Sequence, residues 1–175
     1  GVLAPVRPDD MLAAVIRTLV ERNAFDSADY EDVIAGCTNQ AGEDARNLAR
    51  HAGLMAGLPV ETGGLTVNRL CGSGFQSIVN GAQEILLGDA EIVLTGGTEN
   101  MSQAPFATRG IRFGTRLGKS PELEDTLWSS LMDPHAGCPM GMTAENLAEK
   151  YGITREQMDE FAAASQQKAS DAIDS

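Results

Sequence analysis

The residue types best placed for chemistry converge on Cys71. It lies in the run Leu65-Thr66-Val67-Asn68-Arg69-Leu70-Cys71-Gly72-Ser73-Gly74-Phe75-Gln76-Ser77-Ile78. The residues before it read as a strand and those after it as a buried helix. A thiol is then set at a strand–helix junction, with glycines clearing the space around it. The unpaired N–H groups and the positive dipole end of a helix start favour an anion. The thiolate is an anion and is the nucleophilic form of cysteine. Covalent catalysis by Cys71 is the first expectation. The plainer reading is packing, since free cysteine is among the most buried residue types.

Other candidates carry less. Gly72-Ser73-Gly74 followed by Ser77 imitates the dinucleotide fingerprint G-x-G-x-x-G, with Glu91 downstream. It lacks the third glycine, and a lone match of this kind is weak. Small residues there equally let a helix pass close to another backbone, in a buried neighbour or a symmetry mate. His51 and His135 are the only histidines, and neither has metal-ligand spacing with another histidine or a carboxylate, so no metal site is expected. Cys37, Cys71 and Cys138 are widely spaced and form no CxxC, which argues against a disulfide framework or a zinc site and for a reducing compartment. Arg109, Arg112, Arg116 and Lys119 form the one basic cluster. Ordinary solvated charge is its plainer reading, phosphate or partner contact the sharper one. Leu131, Met132, Met140 and Met142 could line an apolar groove, though methionines more often fill gaps.

The elements that must position these residues follow from periodicity. Pro8 to Asn23 predicts a helix, with Pro8 suited to the first turn, Asp9 and Asp10 complementing the dipole, and Leu12, Val15, Ile16 and Leu19 forming an apolar stripe. Asp32 to Thr38 reads as a short buried strand. Glu43 to Ala56 reads as a second helix closed by Gly57 and Pro59. Gly64 to Leu70 is the next strand. The helix from about Gly72 to Leu87 is small or apolar nearly all round, which predicts burial on several sides. Glu91 to Thr95 is an apolar strand. The alternation of helix and strand argues for an α/β layered, mostly parallel sheet. Residues 102–120 have no clear period and read as a long surface excursion, the kind of loop that often carries function. A short helix is predicted over Glu122 to Leu131, a helix capped by Thr143 runs to Tyr151, and Thr154 with Gln157 forms a capping box for a last helix to about Ala172.

Composition narrows the function class. The chain has 175 residues, enough for one domain or a large piece of a bigger protein. A formal net charge of −12 argues against nucleic acid, since phosphate binding needs a basic surface. No apolar run approaches the roughly 20 residues that span a membrane, and no signal peptide is visible. Aromatics are only 5%, so the core must rest on aliphatic residues. Few short strands serve many helices, and no strand precedes the first helix, so a piece of a longer protein is expected.

The run Asn68 to Ile78 resembles the acyl-cysteine motif of thiolases. The likeness extends through Gly96-Gly97-Thr98-Glu99-Asn100-Met101-Ser102-Gln103-Ala104-Pro105, through Arg112-Phe113-Gly114-Thr115-Arg116-Leu117-Gly118 and through Pro139-Met140-Gly141-Met142-Thr143-Ala144-Glu145-Asn146-Leu147-Ala148. It ends in Ser165-Gln166-Gln167-Lys168-Ala169. These stretches stand in the family's order over nearly the whole chain, and the 3-ketoacyl-CoA thiolases are the most similar branch. The resemblance implies the N-terminal half of a thiolase-like layered α/β fold, a mixed and mostly parallel sheet with helices on both faces. Residues 1–100 would form the core without its first strand, and residues 101–175 would begin a loop domain that covers CoA. The C-terminal half would be absent.

The same resemblance implies that Cys71 carries the acyl group as a thioester between a 3-ketoacyl-CoA and free CoA, or in the reverse Claisen condensation. The Cys71 N–H would contribute to an oxyanion hole. Leu131 and Met140 align with positions that contact the pantetheine end of CoA. Coenzyme A enters as substrate, with no separate cofactor, and a homodimer or homotetramer is implied. Three departures matter. The activating histidine of a Gly-His-Pro motif is absent, as is the second cysteine of a Cys-x-Gly motif, so the chain by itself is expected to lack turnover. Pro139 stands where biosynthetic acetoacetyl-CoA thiolases carry a histidine, which favours the degradative type. A ketoacyl synthase is the alternative within the superfamily, and a non-catalytic CoA- or lipid-binding module is the alternative from another class. The expected compartment is the cytoplasm, or the mitochondrial matrix if a leader is missing from a chain that starts at Gly1.

Overall fold

The computed structural model of the chain describes residues 1–39 and 46–175. These fall into two units, Gly1–Leu127 and Trp128–Ser175. The first unit is built on a three-stranded parallel sheet. Its strands are β1 (Asp32–Gly36), β2 (Leu65–Val67) and β3 (Val93–Gly97), in the order β2-β1-β3. Ile34 lies opposite Leu65 on one side, and Asp32 lies opposite Val93 on the other. The central strand is buried along nearly its whole length, which is why it reads as an unbroken apolar run rather than an alternation.

Helices α1 (Pro8–Arg22) and α2 (Leu48–Ala56) supply most of the core. Leu12, Ala13 and Ile16 of α1 and Leu48, Ala49 and Ala52 of α2 pack with Val33, Ala35 and Cys37. Pro8 opens α1 as expected. Arg7 then pairs with the buried Asp9 carboxylate, donating from Nε at 3.0 Å. The predicted second helix begins later than its periodicity suggests. Asn47 accepts the Arg50 N–H at 3.2 Å as N-cap, so α2 starts at Leu48, and Glu43 to Ala45 lie outside the described residues. Gly57 closes α2 in the left-handed region, at φ 97°.

Helix α3 (Ser73–Leu87) faces the sheet with its smallest residues. Ser73, Ser77 and Gly81 are buried, while Phe75, Ile78, Ile85 and Leu86 are exposed. The expectation of burial on several sides is therefore corrected: within this chain one face is buried, and it is the small one. The cause is closeness. A Cβ on Gly36 would stand 2.6 Å from the Ser73 carbonyl carbon, and one on Gly81 would stand 2.7 Å from Thr95 Cγ2. At that separation neither Gly36 nor Gly81 has room for a side chain. The Ser77 hydroxyl fastens the contact, lying 2.9 Å from the Gly96 carbonyl and accepting the Gly96 N–H at 3.1 Å.

Beyond β3 the chain makes a short antiparallel pair, β4 (Phe106–Ala107) with β5 (Glu124–Asp125). The expected surface excursion lies mostly between these two strands. Helix α4 (Thr126–Leu131) follows, shorter than the predicted Glu122–Leu131 because β5 occupies the residues before it. In the second unit β6 (Met132–Asp133) pairs with β7 (Cys138–Pro139). Then come α5 (Met140–Tyr151) and α6 (Arg155–Asp174). The capping box at α6 is present, with the Gln157 N–H on Thr154 Oγ1 at 3.3 Å and the Thr154 N–H on Gln157 Oε1 at 2.9 Å. Thr143 does not cap: α5 already begins at Met140, with Pro139 as a cap that makes no side-chain bond. No residue of the second unit is buried. Among the described residues no helix is long and apolar enough to cross a membrane.

Candidate functional site

Cys71 is exposed, one residue before the Gly72 that caps α3. The strand that leads to it is shorter than its sequence suggests. It ends at Val67 because Asn68 turns its amide on the local backbone: Oδ1 accepts the Leu70 N–H at 2.9 Å, and Nδ2 donates to the Thr38 carbonyl at 3.0 Å. An asparagine side chain that bonds two residues on mimics a backbone turn. Leu70 is then forced to φ 48°, the one left-handed non-glycine among the described residues. That conformation costs a leucine about 1–3 kcal/mol and persists only where its surroundings over-determine it.

The surroundings do so. The Leu70 carbonyl accepts Ser73 Oγ at 2.6 Å, the Ser73 N–H at 3.0 Å and Thr38 Oγ1 at 3.3 Å. Ser73 Oγ also accepts the Arg69 N–H at 2.8 Å. Both polar backbone groups of Leu70 are thus held, and Cys71 is carried outward at the start of a helix that is pressed onto the sheet. The close approach at Gly36 locates that first turn. An exposed thiol on a strained turn at a helix start is suited to attack an external electrophile and to hold the product as a thioester.

The packing of α3 accounts for the serines of the fingerprint-like run, Ser73 and Ser77, which are buried, while a Cβ on Gly74 would meet nothing within 4 Å. Ser77, at the place of the third glycine, is fully buried against β3. His51 sits on α2, and His135 lies in the turn between β6 and β7, where its N–H is accepted by Asp133 Oδ1 at 2.8 Å. No group of three histidine, cysteine or acidic residues that could hold a metal occurs among the described residues. Cys37 is buried in the core, and Cys138 is half-buried in β7. Arg109, Arg116 and Lys119 line an open cleft of about 730 Å³ that contains no residue of the Cys71 turn, and Arg109 is paired with Glu124.

Leu131 and Met140 belong to the second unit. Met132 lies opposite Pro139 in the hairpin; Leu131 ends α4 just before it and Met140 opens α5 just after it. Both are more than two-fifths exposed, at 43% and 44%, and present apolar surface there. Two-residue strands leave no period to read, so the sequence does not reveal this hairpin.

The family model described as "Thiolase, N-terminal domain" matches residues 1–175. The mitochondrial 3-ketoacyl-CoA thiolase of Rattus norvegicus is 52% identical over 168 residues, 96% of this chain and 42% of the relative. An acetyl-CoA acetyltransferase of Pseudomonas aeruginosa is 48% identical over 178 residues, 99% of this chain and 44% of the relative. The crystal structure of human mitochondrial 3-ketoacyl-CoA thiolase in complex with CoA superposes with a TM-score of 0.92 at 50% identity, covering 98% of this chain and 44% of that one. The chain spans less than half the length of the relatives it matches.

Proposed function

The chain belongs to the thiolase family, and from that premise we propose that Cys71 is the acyl-carrying nucleophile of a 3-ketoacyl-CoA thiolase. One observation carries the reading: an exposed cysteine follows a leucine held at φ 48° by four hydrogen-bonding groups, at the start of a helix. Strain of this kind clusters at functional sites. The Cys71 sulfur adds to the 3-keto carbonyl of the substrate. The Cα–Cβ electron pair leaves with the acetyl-CoA fragment, which takes up a proton. The thiol of a second CoA then accepts the acyl group and frees Cys71. The Cys71 N–H, fixed by the same turn, serves the oxyanion.

Leu131 and Met140 contribute the apolar contact for the pantetheine arm, and residues 101–175 begin the segment that covers CoA. The superposition on a CoA complex supports CoA thioesters as substrates. The chain holds neither Gly-His-Pro nor Cys-x-Gly, so turnover belongs to the full-length protein, as a homo-oligomer. The name of the rat relative, a mitochondrial thiolase, supports a mitochondrial location over the cytoplasm.

Acyl labelling tests this. Full-length protein incubated with acetyl-CoA should gain one acetyl group, mapped to Cys71 by peptide mass, and Cys71→Ser should gain none. An unlabelled wild type favours a non-catalytic binding module. A labelled protein that goes on to condense only with malonyl groups favours a synthase.

A further inference from the structure

Resting on Cys71 as acyl carrier, we propose that Glu99 is a positioning residue for that cysteine, acting through Thr38 on the backbone of Leu70. Glu99 follows β3 at the end of the sheet from which α3 rises. Its carboxylate accepts the Thr38 N–H at 2.7 Å through Oε2 and the Asn39 N–H at 3.2 Å through Oε1. The Cys37 thiol also lies 3.7 Å from Oε1. Three consecutive residues that leave β1 are thus gathered on one side chain. Hydrogen bonds to an ionised acceptor are the strong ones.

Thr38, so held, reaches the turn twice. Its carbonyl accepts Asn68 Nδ2 at 3.0 Å, and its hydroxyl donates to the Leu70 carbonyl at 3.3 Å. Asn68 and Ser73 brace Leu70 from within the turn itself. Thr38 is the brace that comes from the segment leaving β1, so it ties the left-handed leucine to the end of another strand rather than only to its neighbours. A carboxylate suits the anchoring place because two backbone N–H groups point to it at once, one on each oxygen. Glutamine offers a single oxygen for both. Asn39 extends the same network, donating from Nδ2 to Thr126 Oγ1 at 3.3 Å.

The consequence is geometric. Glu99 touches neither Cys71 nor its sulfur, so its loss leaves the thiol exposed and releases the turn that aims it. Misplacing a reacting group by about 1 Å costs about a hundredfold in rate. In the full-length protein, single-turnover acetylation of Cys71 by acetyl-CoA is to be compared between wild type and Glu99→Gln. The limiting rate constant should fall about ten- to a hundredfold. The acetyl-CoA concentration giving half the limiting rate should stay within about twofold, the signature of an interaction that serves the transition state alone. Alkylation of Cys71 by iodoacetamide, which needs only a reachable thiol, should change by less than about twofold.

Thr38→Val leaves the carboxylate and removes only the hydroxyl. It should show the same split, and the double variant should be no slower than Glu99→Gln, since both lie on one path. A limiting rate unchanged in both variants overturns the inference, as do losses that simply multiply. If Glu99→Gln does not fold, Thr38→Val decides by the same split. A wild type that takes no acetyl group overturns the acyl-carrier reading and this inference with it. An acetylated wild type beside equally fast variants overturns this inference alone.

Discussion

Asp32 carries its charge at the first residue of the central strand, where burial opposes it. Burial pushes its carboxyl above the ordinary value, with the Val33 N–H pulling the other way. Glu84 is raised too, first by burial and then by the charges of Asp32 and Asp89. A carboxyl raised in the folded state holds its proton more tightly folded than unfolded. Its ionisation therefore costs stability as pH rises from the ordinary value through the folded one, and the cost is absent below both. Asp32→Asn keeps an acceptor for Val33 and removes the charge. It should raise Tm at pH 7 by about 1–3 °C, the size of a solvent-screened charge effect in a chain this long. The gain should vanish below about pH 4. Thermal melts at the two pH values check this, and equal Tm values at pH 7 would remove burial as the dominant cause. Legibility at the residue scale divides along similar lines. Cys71 could be read from its glycines and its junction. Glu99 and Thr38 could not, because their bonds join residues about 60 and 30 positions apart.

Two glycines of the helix–sheet contact separate packing from propensity. Gly36 ends β1 under the first turn of α3, where a Cβ would meet Ser73 and Gly74 backbone atoms at 2.6 and 2.7 Å. Gly74 lies in that same turn, with nothing within 4 Å of its own Cβ position. Gly36→Ala must push α3 off the sheet and should destabilise by about 1–3 kcal/mol, as overpacking does. Cys71 should then acetylate more slowly in the full-length protein, because its turn moves with the helix. Gly74→Ala should leave stability unchanged or raise it by up to about 1 kcal/mol. Denaturant titration of the two variants distinguishes them, and equal midpoints would mean that closeness does not govern this contact. Elements with a cap or a stripe were legible from sequence: Pro8 opens α1, and Thr154 with Gln157 opens α6. Elements cut short by a turn-forming side chain or by a strand pairing were not. Asn68 cuts β2 short, and β5 takes the start of the helix predicted from Glu122. Thr143 has the right chemistry for a cap but stands a turn inside a helix that Pro139 begins.

The whole chain distributes its apolar residues unevenly. Its core of buried side chains lies in the first unit, on the face of the sheet that carries α1 and α2. On α3 the order is reversed, with small residues in and large ones out. Periodicity alone shows that the helix is small or apolar nearly all round but not which face meets the sheet; the close approaches at Gly36 and Gly81 decide that. Phe75 and Leu86 are 74% and 84% exposed, and with Ile78 and Ile85 they form a contiguous apolar stripe, the kind of surface that marks an interaction site or an aggregation liability. The 175-residue chain expressed by itself should therefore bind the dye ANS and self-associate at micromolar concentration. Replacing Phe75 and Leu86 together by Gln should lower the dye signal and should shift stability by less than about 1 kcal/mol, since exposed positions away from packing rarely matter more. ANS fluorescence and sedimentation before and after the double substitution give the test. A signal that persists at full strength would place the dye on another surface, and a large loss of stability would mean that this stripe is packed in solution.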